Sequence, residues 1–264
     1  MRSANDDPML RPIEPAIVIR TTAAETLSAL PPRSINLLIT DPPYSTVERR
    51  PKSGHLKDWF RGSLSWPDIG RILAVARRKM APDGIAFVMT NEAGLKPALD
   101  AIRAAGFVQP VRVIVWDRRS PGLGSGLRHQ VEYVLVGRQP GSRTLTGIDL
   151  VSVGAVGPGT ADRYPTQKPE GLGRALAKMA SIGRGDLVLD PFCGSGALLV
   201  GAAERGATVV GSDISARAVG LATRRLTAAA RSRSPSLVGR RSAAPAASRN
   251  SARGTVPPSR KASR

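Results

Sequence analysis

Short apolar runs alternate with longer segments of helical spacing along most of the chain. Ala16–Ile19 (AIVI) and Ile35–Thr40 (INLLIT) are nearly unbroken apolar stretches, the pattern of strands buried on both faces. Pro67–Met80 places Ile69, Ile72, Leu73 and Ala76 on one side of a helix, with Pro67 suited to its first turn. A strand at Gly84–Thr90 follows the turn "APDG", and Gly94–Ala105 has helical spacing. The β-rich runs "FVQPVRVIVW" and "VEYVLVG" flank the glycine-rich stretch Asp117–Gln130 and predict a hairpin. Pro169–Ile182 is expected to be helical, Asp186–Asp190 a strand, Ser195–Arg205 a helix, "TVVGSD" a strand and Ala216–Leu226 a helix. Strands alternating with helices predict a mostly parallel sheet covered on both faces. No internal repeat interrupts this order.

The pattern fades at both ends. Residues 1–15 predict a flexible N-terminus, and 16–227 a single α/β domain. From Ala228 to Arg264 the chain is Ser, Ala, Pro and Arg with little to bury, which predicts a disordered tail. Net charge then sharpens the picture. The chain carries +19, and the tail holds nine Lys/Arg with no acid. The remainder keeps 30 basic against 20 acidic residues, so the body too favours a polyanion such as nucleic acid. One cysteine, Cys193, excludes an internal disulfide and a multi-cysteine metal site. The opening "MRSANDDPML" has no apolar core of a secretory signal, and no apolar run is long enough to span a bilayer. A cytoplasmic protein without membrane contact is expected.

Two stretches concentrate the chemistry. "SINLLITDPPYST" runs a buried strand into Asp41, Pro42, Pro43 and Tyr44. Proline has no N–H for the ladder, so the strand must stop, and each residue before a proline is held extended. The result is a stiff turn that presents one carboxylate and one ring. "LVLDPFCGSGALLVGAAERGATVVGSDIS" ends a strand at Asp190, turns at Gly194 and Gly196, and ends a second strand at Asp213. This is a nucleotide-type βα turn with a ribose-binding acid at the usual distance. The dinucleotide fingerprint is incomplete, because Leu199 stands at the third glycine position. A third stretch, "RYPTQKPEGL", sets Thr166, Gln167 and Lys168 between two prolines just before a helix.

Together, "DPPY", "YPTQKP" and "DPFCGSG" in this order make the chain similar to the β group of amino-methylating DNA methyltransferases. The resemblance extends from about Ile17 to Arg225. It implies a Rossmann-like class I methyltransferase sheet with one antiparallel strand, circularly permuted so that the catalytic half precedes the cofactor half. It also implies S-adenosyl-L-methionine as cofactor. Asp41, Pro42, Pro43 and Tyr44 match the catalytic tetrad. Asp190, Phe192, Gly194 and Gly196 match the cofactor loop, Asp213 the ribose-binding acid, and Thr166 and Lys168 the second cofactor motif. That motif usually begins with His, where this chain has Tyr164. Gly-Asp is common in the family where this chain has Arg20-Thr21-Thr22.

The chemistry implied is methyl transfer to adenine N6 in double-stranded DNA, with the base flipped out of the helix. Cytosine N4, where the tetrad commonly begins with Ser, an RNA substrate, and an inactive DNA-binding protein are the alternatives. No metal is required. DNA contacts are expected in inserts at about 45–66 (with Trp59, Phe60 and Trp66), 117–130 and 138–163. His55 and His129 read as solvated loop residues. A homodimer is compatible with the sequence, and a partner nuclease is not specified by it.

Overall fold

The computed structural model describes residues 16–44, 62–122, 125–156, 164 and 166–231. The expected flexible N-terminus, His55, Trp59 and Phe60, and the tail beyond Arg231 lie outside the described residues.

The elements follow in the order β1 (Ala16–Arg20), α1 (Ala23–Ala29), β2 (Ile35–Thr40), α2 (Trp66–Lys79), β3 (Met80–Thr90), α3 (Glu92–Ala104), β4 (Arg112–Asp117) and β5 (Val131–Arg138). The second half contains β6 (Leu150–Ser152), α4 (Glu170–Met179), β7 (Leu187–Asp190), α5 (Val200–Glu204), β8 (Thr208–Asp213) and α6 (Ala216–Arg231). All eight strands join one sheet in the order β1-β8-β7-β2-β3-β5-β4-β6. Among the described strands only β5 runs against the others, pairing antiparallel with both β3 and β4. The mostly parallel sheet with one reversed strand is therefore the architecture expected.

The centre of the sheet explains the apolar run of β2, whereas β1, also expected to be buried, is an edge strand with Ile17 and Ile19 exposed. On β2, Leu37 and Ile39 point to one face and Ile35 and Leu38 to the other, each at most 1% exposed. The first face packs with Ile85, Phe87, Leu172, Leu176, Leu199 and Leu226, the second with Leu27, Ile69, Leu73, Val88 and Ile102. Such a strand cannot alternate apolar and polar residues, because neither face meets water.

Several boundaries differ from the sequence pattern. Helix α1 was not anticipated. Thr22 caps it by accepting from the Glu25 N–H, while Glu25 accepts in return from the Thr22 N–H, a capping box. Strand β3 begins at Met80, through the expected "APDG" turn, and a Cβ on Gly84 would lie 2.7 Å from the Ile35 carbonyl oxygen. The helix expected at 195–205 is a 3-10 turn at Ala197–Leu199 followed by the short α5. Here α4 and α5 meet backbone to backbone: a Cβ on Gly201 would sit 2.4 Å from the Arg174 Cα. Helix α6 continues to Arg231, so Ala228–Arg231 are helical and the tail cannot begin at Ala228.

The 138–163 segment is tied to the scaffold through most of its described part. Strand β6 pairs with β4, and Trp116 donates to the Val153 carbonyl at 2.8 Å. Arg143 bridges Asp83 and Asp186, the latter at 2.8 Å. Residues 157–163 lie outside the described residues.

Candidate active site

Sheet order fixes where a ligand belongs. From β2 the chain moves through α2 to β3 on one side, while β7 and β8 follow on the other. The β2–β7 boundary is therefore the point where strand order reverses, and ligands of open α/β sheets sit beyond the carboxyl ends there. Asp41 directly follows β2 and Asp190 closes β7. The two ends are joined by the Thr40 hydroxyl, which donates to Asp190 Oδ1 at 2.7 Å across 150 residues of chain.

Asp190 is 1% exposed and lies behind the glycine turn. Its Oδ1 also accepts from the Phe192 N–H at 3.1 Å. Burial pushes this carboxyl up to about 7, against the opposing pull of Thr40 and Phe192. The linkage follows from the sign. A carboxyl of ordinary pKa near 3.8 when unfolded, raised to about 7 when folded, favours the folded state only while protonated. Its contribution falls as pH rises between those values and is flat above. Asp190→Asn is therefore expected to gain about 3 kcal/mol relative to the unsubstituted protein between pH 4 and pH 8. Urea titration at both pH values measures this, and a constant difference between the two proteins would contradict it.

The glycine turn is held from β8. Asp213 Oδ2 accepts from the Gly194 N–H at 3.0 Å, and Oδ1 from the Ser215 N–H at 2.8 Å. Burial raises the Asp213 carboxyl, opposed by those two N–H groups. Gly194 and Gly196 have φ of +49° and +74°, which glycine adopts without strain. Tyr164 covers the turn, so that a Cβ on Gly194 would lie 2.9 Å from its ring. Burial, then the charges of Asp213 and Asp41, push the Tyr164 phenol up. Arg225 of α6 clips the two loops together, donating to the Ser195 carbonyl, to Gln167 at 3.0 Å and to Glu170 at 3.0 Å. Thr166 is exposed on the turn before Lys168.

On the other side, the proline turn has the stiffness expected. The Tyr44 N–H donates to the Pro42 carbonyl at 2.8 Å, and the Leu64 N–H to the Pro43 carbonyl at 2.7 Å. The Pro42 oxygen thus has one lone-pair direction in use and one left. Tyr44 stacks on Trp66, ring centroids 5.1 Å apart and planes 23° apart. Burial, then the Asp41 charge, raise the Tyr44 phenol. Trp66 was grouped with the DNA-facing insert, but it opens α2 and is 5% exposed. It supports one face of Tyr44 from within the core. His129 is largely exposed and pairs with Glu92.

The two halves meet at Lys168. Its ammonium lies 2.7 Å from Asp41 Oδ2 and 3.2 Å from Glu132 Oε2. Burial alone would push the amine down, but Asp41 and Glu132 together hold it above its ordinary range. Asp41, Tyr44, Lys168, Tyr164, Gly194 and Asp213 thus line one edge of the sheet. Glu132 was not anticipated. It reaches this edge because β5 is reversed, so that its first residues stand where the parallel strands end. Lys168, which precedes α4 on the glycine-turn side of the sheet edge, is thus bound to the proline turn. An open cleft of about 650 Å³ is lined by Trp66 together with Ser63, Ser65, Asp68, Ala93 and Pro97.

A family model described as DNA methylase, for N6 and N4 methyltransferases, matches residues 146–224. Type II methyltransferase M2.DpnII of Streptococcus pneumoniae is 25% identical over 80% of this chain and 90% of its own length. The chain is thus similar to N6 and N4 DNA methylases, through the model over residues 146–224 and through this relative along most of its length. A further relative, DNA adenine methyltransferase YhdJ of Escherichia coli, is 23% identical over 82% of the chain and 84% of its own length. The chain shares its fold with the cytosine-N4-specific PvuII DNA methyltransferase, with a TM-score of 0.64 at 16% identity over 82% of this chain and 91% of that one. No described helix is long and apolar enough to cross a membrane.

Proposed function

We propose that this protein is a DNA methyltransferase that transfers a methyl group from S-adenosylmethionine to the N6 amine of an adenine flipped out of double-stranded DNA. The observation that carries the reading is the Asp41–Lys168 contact, which brings the "DPPY" turn and the glycine-turn side of the sheet edge into one site.

The residues present fit the cofactor. The turn must be bare of side chains, since a Cβ on Gly196 would lie 2.9 Å from the Ala222 Cβ and one on Gly194 would strike Tyr164. Asp213, fixed by two N–H groups, has oxygen lone pairs left for ribose hydroxyls. Asp190 shapes the loop from behind, and Phe192, Thr166 and Lys168 complete the cofactor side. When bound, S-adenosylmethionine supplies a methyl group on a positively charged sulfur.

The exocyclic amine of adenine is a poor nucleophile, because its lone pair is delocalised into the ring. Acceptors that take its N–H hydrogen bonds draw the nitrogen towards tetrahedral geometry. Asp41 and the remaining lone pair of Pro42 serve this end, and the two prolines fix both in advance. Tyr44, backed by Trp66, offers its other face to the base, a stacking contact worth about 1–3 kcal/mol in single-strand binders. A base within the duplex is out of reach of this edge, so flipping is part of the proposal.

Adenine is preferred to cytosine because an anionic acceptor binds an amine proton more strongly than the hydroxyl of a Ser tetrad would. The Escherichia coli relative, a DNA adenine methyltransferase, supports the same choice. Labelled methyl transfer to DNA, RNA and protein side by side tests the substrate class. Digestion of the methylated DNA and mass spectrometry is expected to yield N6-methyladenosine. N4-methylcytidine alone would reassign the base, and label on RNA alone would reassign the substrate.

A further inference from the structure

Glu132 stands at the start of the one reversed strand and faces two cations. Lys168 lies 3.2 Å from its Oε2, and Arg118 Nη1 3.6 Å from its Oε1. The carboxylate is buried to 17% exposure, and its Oε2 makes no hydrogen bond among the described residues. The link to Lys168 is therefore electrostatic rather than directional. A buried carboxylate oxygen left without a hydrogen bond is costly, and a role in packing alone would be met at lower cost by glutamine or an apolar residue.

Charge gives it a purpose. Arg118 and Lys168 carry two positive charges, Asp41 and Glu132 two negative ones, so the group is balanced. Lys168 touches Asp41 directly, which brings its positive charge next to the proposed site of methyl transfer. A sulfonium entering beside an unbalanced lysine would be repelled.

We infer that Glu132 is a positioning and charge-balancing residue that lets the site accept a cationic sulfonium cofactor beside Lys168 and bind it in preference to the neutral thioether product. This inference rests on S-adenosylmethionine being the cofactor. Without Glu132, Lys168 retains Asp41 but the group gains a net positive charge. S-adenosylmethionine then meets a like charge at close range, whereas S-adenosylhomocysteine, which lacks the sulfonium, does not.

Calorimetric titration of the full chain with both compounds tests it. Glu132→Gln is expected to reduce the affinity ratio of S-adenosylmethionine to S-adenosylhomocysteine by at least about threefold, and by roughly tenfold if the group is poorly screened. In turnover the change should fall on KM for the cofactor, with kcat less affected. Glu132→Asp should restore much of the ratio. The double variant Arg118→Gln/Glu132→Gln, which rebalances the charge, should move the ratio back towards that of the unsubstituted protein. A partly unfolded variant would lower the fraction of binding-competent protein for both compounds and leave the ratio alone. A ratio changed less than threefold in Glu132→Gln, or no recovery in the double variant, overturns the inference. Failure of the unsubstituted protein to bind either compound would instead overturn the cofactor reading on which it rests.

Discussion

Asp41→Asn is expected to lower kcat for methyl transfer by about 10²–10³-fold, the usual effect of removing one preorganised electrostatic partner of a reacting group. The amide retains the size of the carboxylate and the fixed turn around it, so the loss isolates the anionic acceptor. Lys168 remains buried and keeps Glu132 as its partner. Because the contact with Lys168 is direct, the cofactor should also sense the change. S-adenosylmethionine should bind more weakly, while S-adenosylhomocysteine stays within about threefold of its original affinity. Single-turnover kinetics and calorimetry on the same variant separate the two effects. An unchanged single-turnover rate would remove Asp41 from the chemistry.

Asp213→Ala should act on the opposite half of the site. Its carboxylate anchors the Gly194 and Ser215 N–H groups and, in the proposed complex, accepts from ribose hydroxyls. Hydrogen bonds to a charged group are worth about 1.5–3 kcal/mol each, so affinity should fall by about 100-fold. Both compounds carry the ribose, so both should weaken alike. A loss confined to the cationic compound would show that Asp213 works through charge and does not hold the ribose. Together with Asp41→Asn and Glu132→Gln, this variant divides the site into ribose binding, sulfonium tolerance and activation of the amine.

The sequence made the central strands legible because burial on both faces leaves a nearly continuous apolar run, as at Ile35–Ile39 with only Asn36 polar. It made the turns legible because proline and glycine restrict the backbone locally, as at Pro42, Pro43, Gly194 and Gly196. Helix α1 was missed although its signal was present: Thr22 followed by Glu25, ahead of Leu27. The Arg20-Thr21-Thr22 departure is thus occupied by a helix cap, with the Glu25 carboxyl held down to about 2 by Thr21 first and then Thr22. Strand β6, three residues long, is defined only by its partner β4. The short α5 reflects a close approach to α4 that no local pattern records. Glu132 and Arg225 were missed for a related reason. Their partners are far away in sequence, and one chain read alone does not reveal which distant charges will meet.

The Thr40–Asp190 hydrogen bond also bears on how the protein comes into being. Strands β2 and β7 are neighbours, yet 150 residues separate the two ends that this bond joins. During synthesis the "DPPY" turn emerges early, whereas its counterpart arrives only after both the hairpin and α4. Until β7 docks, β2 presents an open, largely apolar edge at what will become the middle of the sheet, the kind of edge that recruits other chains. Contacts so distant in sequence also slow folding, since the intervening loop must close before they form. A truncated chain ending before Leu187 would therefore have every residue of the proline turn and no site, and its exposed β2 edge would make it prone to aggregate.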